Sequence, residues 1–157
     1  MKLQKVAIVS KVGSKDSERA AKDIAKKLLA KKSTVYTISP IQVEGAKQLE
    51  TLEELKKVKL DLVITLGGDG TTLRVFRNLD NETPILTINV GGNRGILAEI
   101  TYDEIDVAID QMLKSEFFLD KRIRVVASCG GEEFPPALNE IYINRSNLTK
   151  TSEINIK

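Results

Sequence analysis

One strand-turn-helix pattern constrains the fold of this chain more than any other feature. Residues 60–66, Leu-Asp-Leu-Val-Ile-Thr-Leu, have the length and composition of a strand buried on both faces. The run Gly-Gly-Asp-Gly-Thr at 67–71 follows directly, and a helical pattern occupies residues 72–79. Such a succession is typical of a parallel sheet, in which ligands bind at the carboxyl ends of the strands.

The glycine run suits a phosphate group. Gly67, Gly68 and Gly70 allow positive φ and a close approach of the backbone to a ligand, and Thr71 is placed to cap the helix. Asp69 is the exception, because a carboxylate about 5 Å from a phosphate charge is repelled by roughly 3 kcal/mol at an effective dielectric of about 20. We therefore expect Asp69 to accept a proton from an attacking hydroxyl or to face a divalent cation. The alternative is an ordinary tight turn, which also uses glycine and aspartate.

Predicted strands and helices alternate over most of the chain. Strands are predicted at residues 5–10, 34–38, 60–66 and 84–89, and helices at residues 14–32, 44–58, 72–79 and 102–114. This order predicts an α/β fold, a Rossmann-like parallel sheet with helices on both faces. The strand that ends at Asn89 leads into a second glycine-rich stretch, residues 91–95, which contains Arg94. We expect that stretch on the same rim of the sheet as the first turn.

The pattern changes after the last of these helices. Residues 125–128, 137–144 and 152–157 are predicted as antiparallel strands, with a turn at 130–133 and no helix between them. We therefore predict an α/β domain that carries the glycine turn at residues 1–116 and the beginning of an all-β domain at residues 117–157. The sequence ends within an alternating run, so we expect more strands to complete this domain and expect the present chain alone to be inactive.

Composition excludes several classes of function. The 24 Lys and Arg residues nearly balance the 22 Asp and Glu residues, so the charge does not call for nucleic acid or a membrane as a partner. No apolar stretch reaches the ~18 residues that span a bilayer, and the first strand follows the start without a signal peptide, which predicts a cytoplasmic protein. The absence of histidine removes Ser-His and Cys-His catalytic pairs and histidine metal ligands.

Three motifs, in order along the chain, resemble those of the NAD kinase family. The first is Gly-Gly-Asp-Gly-Thr at 67–71. The second begins at Asn89 and is similar to the family's Asn-x-Gly-x-x-Gly-x-Leu, with one residue more between Asn89 and Gly95. The third, Asn139-Glu140, resembles the family's Asn-Asp/Glu pair at the head of a strand in the second domain. Diacylglycerol and sphingosine kinases share the first motif, whereas the three together are typical of NAD kinases.

The resemblance implies transfer of the terminal phosphoryl group of ATP, or of polyphosphate, to the 2′-hydroxyl of the adenosine ribose of NAD, which gives NADP. It implies Asp69 as the catalytic base and Mg²⁺ or another divalent cation at the phosphates, although no metal ligand is identified. The residues that it implies for binding nucleotide and phosphate are Gly68, Gly70, Thr71, Asn89, Arg94, Asn139 and Glu140. Its implied partners are small-molecule nucleotides and, in the whole protein, further copies in a dimer or tetramer.

Two other functions are compatible with the glycine turn. A lipid kinase would need an apolar surface for docking on membranes, and the evenly mixed charge with only 4% aromatic residues gives no sign of one. A non-catalytic nucleotide-binding module would bind the same ligands without turnover. A substitution of Asp69 that abolished turnover and left binding intact would argue against the non-catalytic module.

Overall fold

In the computed structural model, which describes residues 3–79, 83–92 and 95–143, a six-stranded parallel sheet dominates the first part of the chain. The strand order is β3-β2-β1-β4-β5-β6. In chain order the elements are β1 (Lys5–Ser10), α1 (Lys15–Ala30), β2 (Thr34–Ile38), β3 (Lys47–Leu49), a first 3₁₀ helix (Leu52–Lys57), β4 (Leu62–Leu66), α2 (Asp69–Phe76), β5 (Ile85–Asn89), β6 (Ile100–Thr101), a second 3₁₀ helix (Tyr102–Glu104) and α3 (Ile105–Lys114).

The strands divide their side chains between two apolar cores. In β1, Val6 and Ile8 belong to the core that α1 and α3 cover, whereas Ala7 and Val9 belong to the core that α2 and the first 3₁₀ helix cover. This alternation follows from the two-residue period of a strand, and it buries β4 on both faces. The prediction of an α/β fold with a parallel sheet and helices on both faces is confirmed.

The prediction of a helix at residues 44–58 is wrong. Residues 47–49 form β3, which pairs in parallel with β2, and the helical part is limited to the first 3₁₀ helix. The prediction rested on leucines three residues apart, and this spacing also fits a 3₁₀ helix, which has three residues per turn. Leu55 is fully buried in the core that α2 and the first 3₁₀ helix cover, and Leu52, one turn earlier, packs against the same core.

The chain divides into two compact units, residues 1–120 and 121–157. Phe117 packs against the core of the first unit, and the domain boundary that we predicted before it stays a prediction. Within the described residues, no helix is both long enough and apolar enough to cross a bilayer.

The described part of the second unit contains a short antiparallel hairpin. β7 (Ser128–Cys129) pairs with β8 (Glu132–Glu133) across Gly130 and Gly131, whose φ values are 61° and 86°. Two successive residues with positive φ are the hallmark of a tight hairpin turn, so the predicted turn is present. The prediction of a strand at residues 137–144 is wrong for its described residues, 137–143. Of these only Ala137 pairs with another segment, in an isolated bridge to Val125. Residues 152–157, predicted as a strand, lie outside the described residues.

Candidate functional site

The glycine turn joins β4 to α2 at the carboxyl edge of the sheet. α2 begins at Asp69, inside the motif, with Gly68 as its N-cap, and not at residue 72 as predicted. Thr71 is therefore not the cap. It lies buried in the first helical turn, where its N–H donates to the Gly68 carbonyl at 3.0 Å. The helix begins at Asp69 because the carbonyl of the extended N-cap Gly68 accepts the N–H groups of Thr71 at 3.0 Å and Thr72 at 3.5 Å.

The residue that requires glycine in this turn is Gly67. Its φ is 145°, and a Cβ there would lie 2.8 Å from Thr71 Oγ1 and 3.0 Å from Lys11 Cβ. The predicted positive φ at Gly68 and Gly70 is wrong, since Gly68 has a φ of −93° and Gly70 is helical. Neither has an atom within 4 Å of an added Cβ. The steric demand of the protein itself thus falls on the first glycine of the motif.

Asp69 is held by the loop that follows β5. Its Oδ2 accepts the N–H of Ile96 at 3.0 Å, and its Oδ1 accepts the N–H of Leu97 at 3.0 Å. Gly95 lies so close that an added Cβ would be 2.1 Å from Oδ1 of Asp69. The structure therefore brings together the two glycine-rich stretches of the sequence, and it fixes the only carboxylate of the turn between them.

The half-buried carboxylate of Asp69 keeps the capacity to react. Each carboxylate oxygen has two lone pairs, so one remains on each after the two amide bonds are made. Asp69 is also the first residue of α2, where the positive end of the helix dipole stabilises a negative charge. An ionised carboxylate in this place can accept a proton from a hydroxyl brought to the rim.

Three buried threonine hydroxyls lie beneath the turn. Thr65 of β4 and Thr87 of β5 are register partners whose Oγ1 atoms are 3.1 Å apart, and Thr72 Oγ1 of α2 lies 3.0 Å from Thr65 Oγ1 and 2.8 Å from Thr87 Oγ1. We call this group the threonine ring. Sequence reasoning missed it, because the only available signal was a threonine near the end of two successive strands.

Asn89 is buried at the end of β5 and lines a cavity of about 390 Å³. Its Nδ2 donates to the Gly92 carbonyl at 3.4 Å. Arg19 of α1 and Tyr102 line the same cavity, and Arg19 was not among the predicted site residues. Burial and a hydrogen bond to Asp23 raise the pKa of Tyr102, which keeps its phenol neutral in this wall.

The other predicted site residues are Asn139, Glu140 and Arg94. Asn139 and Glu140 lie in the second unit, where both are exposed and neither belongs to a strand. Arg94 lies outside the described residues. Among the residues that the structure describes, no three acidic or cysteine side chains are grouped so as to hold a metal ion. A cation that accompanies phosphate groups needs only one or two protein carboxylates.

The fold and its glycine turn define an α/β protein with a candidate ligand site at the carboxyl ends of its strands, and comparisons with known proteins specify the family. A family profile described as the ATP-NAD kinase N-terminal domain matches residues 6–117. The NAD kinase of Thermococcus sibiricus is 39% identical over 105 residues, which cover 67% of this chain and 38% of that protein. The NAD kinase of Methanothermobacter thermautotrophicus is 28% identical over 156 residues, which cover 98% of this chain and 54% of that protein. The chain belongs to the NAD kinase family.

Two solved structures share the fold. The yeast NADH kinase complexed with NADH has a TM-score of 0.69 at 20% identity, and the match covers 80% of this chain and 42% of that chain. An NAD kinase from Archaeoglobus fulgidus in complex with ATP has a TM-score of 0.52 at 24% identity, with 79% and 42% covered. The chain thus spans about half or less of the length of the proteins that it matches.

Proposed function

We propose that the protein transfers the terminal phosphoryl group of ATP, or of polyphosphate, to the 2′-hydroxyl of the adenosine ribose of NAD and so makes NADP. The observation that carries this proposal is the fixed carboxylate of Asp69, at the start of α2 and at the rim where α/β sheets bind ligands. Family membership supports the reaction, because the matched relatives are named NAD kinases.

Asp69 acts as the general base. One of its free lone pairs accepts the proton of the ribose hydroxyl, whose oxygen then attacks the terminal phosphorus as the bond to the leaving phosphate oxygen breaks. The carboxylate cannot turn away from the hydroxyl, because two backbone amides hold its two oxygens. This fixed orientation reduces the reorganisation needed at the moment of proton transfer.

Phosphate binding falls to the backbone of the turn. The N–H of Thr71 already donates to the Gly68 carbonyl. The N–H groups near Gly68 and Gly70 therefore donate to the phosphate oxygens. Mg²⁺ bound with the ATP phosphates would neutralise the charge that develops on them. We assign Asn89, Arg94, Asn139 and Glu140 to nucleotide binding, and we keep a cytoplasmic dimer or tetramer as the expected state of the whole protein.

Asp69→Asn tests the proposal in the full-length protein. We expect single-turnover phosphoryl transfer to fall by about 10²–10⁴-fold, with little change in NAD affinity, because the amide cannot accept the proton. The amide also presents an NH₂ group to one of the two loop amides, so one hydrogen bond is lost and the melting temperature must be measured in parallel.

Asp61→Asn is the matched control. Oδ2 of Asp61 also accepts two backbone N–H groups, those of Gln4 and Lys5, each at 2.8 Å, where β1 begins at the opposite edge of the sheet. The control should transfer phosphate at the wild-type rate. A loss below tenfold in Asp69→Asn, or an equal loss in both variants, would contradict the assignment of the base.

The two alternatives make different predictions. A non-catalytic module would bind ATP and NAD and form no NADP under any condition with Mg²⁺. A lipid kinase would phosphorylate diacylglycerol or sphingosine in vesicles, and the family match gives that reaction no support. A single assay with NAD and with lipid acceptors therefore distinguishes all three functions.

A further inference from the structure

The threonine ring is a closed set of hydrogen bonds. Thr65 Oγ1 donates to Thr87 Oγ1, and a hydroxyl has only one hydrogen to give. The ring closes when Thr87 donates to Thr72 and Thr72 donates to Thr65, over distances of 2.8 Å and 3.0 Å. Each hydroxyl then donates once and accepts once, so no polar atom of the ring is left without a partner in the buried layer beneath the turn.

The ring joins the segments that place the Asp69 carboxylate. Thr72 lies one helical turn after Asp69 in α2, and Thr65 lies two residues before Gly67. The Gly67 N–H bonds in turn to the Ile88 carbonyl of β5 at 3.0 Å. The ring therefore fixes the first turn of α2 against the ends of β4 and β5.

The same ring reaches the loop on the other side of the carboxylate. The backbone carbonyl of Thr87 accepts the N–H of Glu99 at 3.0 Å, two residues after Leu97. Leu97 and Ile96 supply the amides that hold Asp69. Movement of Thr87 would thus shift the two loop amides that donate to Asp69. Movement of Thr72 would shift the Asp69 carboxylate that accepts them.

We propose that Thr65, Thr72 and Thr87 are positioning residues for Asp69, and that their hydroxyls keep its carboxylate aimed at the acceptor hydroxyl of the substrate. They act through α2 and through the loop after β5, without contact with the substrate. This inference rests on the proposed function for its effect on catalysis, whereas its effect on the loop amides is independent of any activity.

Thr72→Val removes one hydroxyl and keeps the shape of the side chain, and Thr72→Ser keeps the hydroxyl. We expect Thr72→Val to lower kcat by about ten- to a hundredfold with KM within about twofold, since a displacement of about 1 Å at a reacting group can cost a hundredfold. Thr72→Ser should restore most of kcat. Thr87→Val, in a strand where valine is favoured, serves as a second variant should Thr72→Val fail to fold.

Thr37→Val is the matched control. Thr37 is a buried threonine of β2 whose Oγ1 has no hydrogen-bond partner within the part of the chain that the structure describes. Its substitution also deletes a buried hydroxyl, but it should leave kcat unchanged. A fall of kcat in Thr37→Val equal to that in Thr72→Val would overturn the proposal, because the effect would then be a general response of the sheet.

Hydrogen exchange of the Ile96 and Leu97 amides, measured by NMR without substrate, separates this inference from the proposed function. We expect exchange of both amides to accelerate at least about tenfold in Thr72→Val and Thr87→Val, with wild-type rates in Thr72→Ser and Thr37→Val. Unchanged exchange in both valine variants would refute the positioning role. If the wild-type protein makes no NADP with any donor, the proposed function fails, and the exchange rates still decide the role of the ring.

Discussion

Gly95→Ala should damage the site more than its position in an exposed loop suggests. An added Cβ would lie 2.1 Å from Oδ1, 2.5 Å from Cγ and 2.8 Å from Oδ2 of Asp69. Real Cβ atoms essentially never come within 3.0 Å of a heavy atom of a residue that is not a chain neighbour. The carboxylate or the loop must therefore move by about 0.9 Å. The φ of Gly95 lies outside the left-handed region, so the contact alone drives this movement.

The displacement breaks the two amide bonds to the carboxylate. A hydrogen bond of this kind at a half-exposed site contributes about 1 kcal/mol, so the free energy of unfolding should fall by about 2 kcal/mol. For a chain of this size that loss lowers Tm by about 4–8 °C. In the full-length enzyme, a base displaced by about 1 Å should transfer phosphate about a hundredfold more slowly.

Thermal unfolding of two further variants tests this reasoning. Gly70→Ala adds a methyl group with no atom within 4 Å in the first turn of α2, so Tm should stay the same or rise. In the background of Asp69→Ala the carboxylate atoms are absent, and Gly95→Ala should then cost almost nothing. The steric explanation is refuted if Gly95→Ala has the wild-type Tm, or if its cost is the same with and without the Asp69 carboxylate.

Two smaller predictions concern the face that α1 and α3 share. Burial and the hydrogen bond to Asp23 raise the pKa of Tyr102 above its ordinary value of 10.0, so ultraviolet titration should show a phenolate step above pH 10 that is absent in Tyr102→Phe. The stability that this neutral phenol contributes is complete below about pH 10 and is lost as the pH rises through the raised pKa. A phenolate step above pH 10 that persists in Tyr102→Phe would contradict its assignment to Tyr102. The exposed ion pair of Lys27 and Asp106 should show a coupling of about 0.2–1 kcal/mol in a double-mutant cycle, decreasing with salt, and a coupling above about 2 kcal/mol would be inconsistent with its exposure.

The sheet was largely predictable from the sequence, since its inner strands are short apolar runs bounded by polar residues. β1 and β2 have the predicted bounds, and β4 and β5 differ by one or two residues at their starts. β3 and β6 were missed because strands of three and two residues have no measurable period. Their position depends on pairing with β2 and β5, and such tertiary contacts leave little trace in a local pattern.

The glycine turn of the candidate site was predictable from the sequence, whereas its contacts, the threonine ring and Arg19 were not. The glycine turn and Asp69 were predicted from the residue types together with the buried strand before them and the helical pattern after them, because the run alone also fits an ordinary tight turn. Ile96 and Leu97 bind the Asp69 carboxylate through their backbone N–H groups. Every residue except proline carries such a group, so no sequence motif indicates these contacts. The steric need for glycine at 95 likewise arises from the side chain of Asp69, which is distant in the sequence.

The central place of β1 determines when this site can form during folding. β1 pairs with β2 after one intervening helix, but its other neighbour is β4, so that Val6 pairs with Leu62 across the longest separation in the described sheet. Closing so long a loop costs more chain entropy than local pairing and slows the folding of α/β proteins. The N–H of Lys11 meets the Leu66 carbonyl at 2.8 Å at the end of this pairing, immediately before Gly67. We therefore expect the glycine turn to take its shape late, after the long-range closure of the sheet.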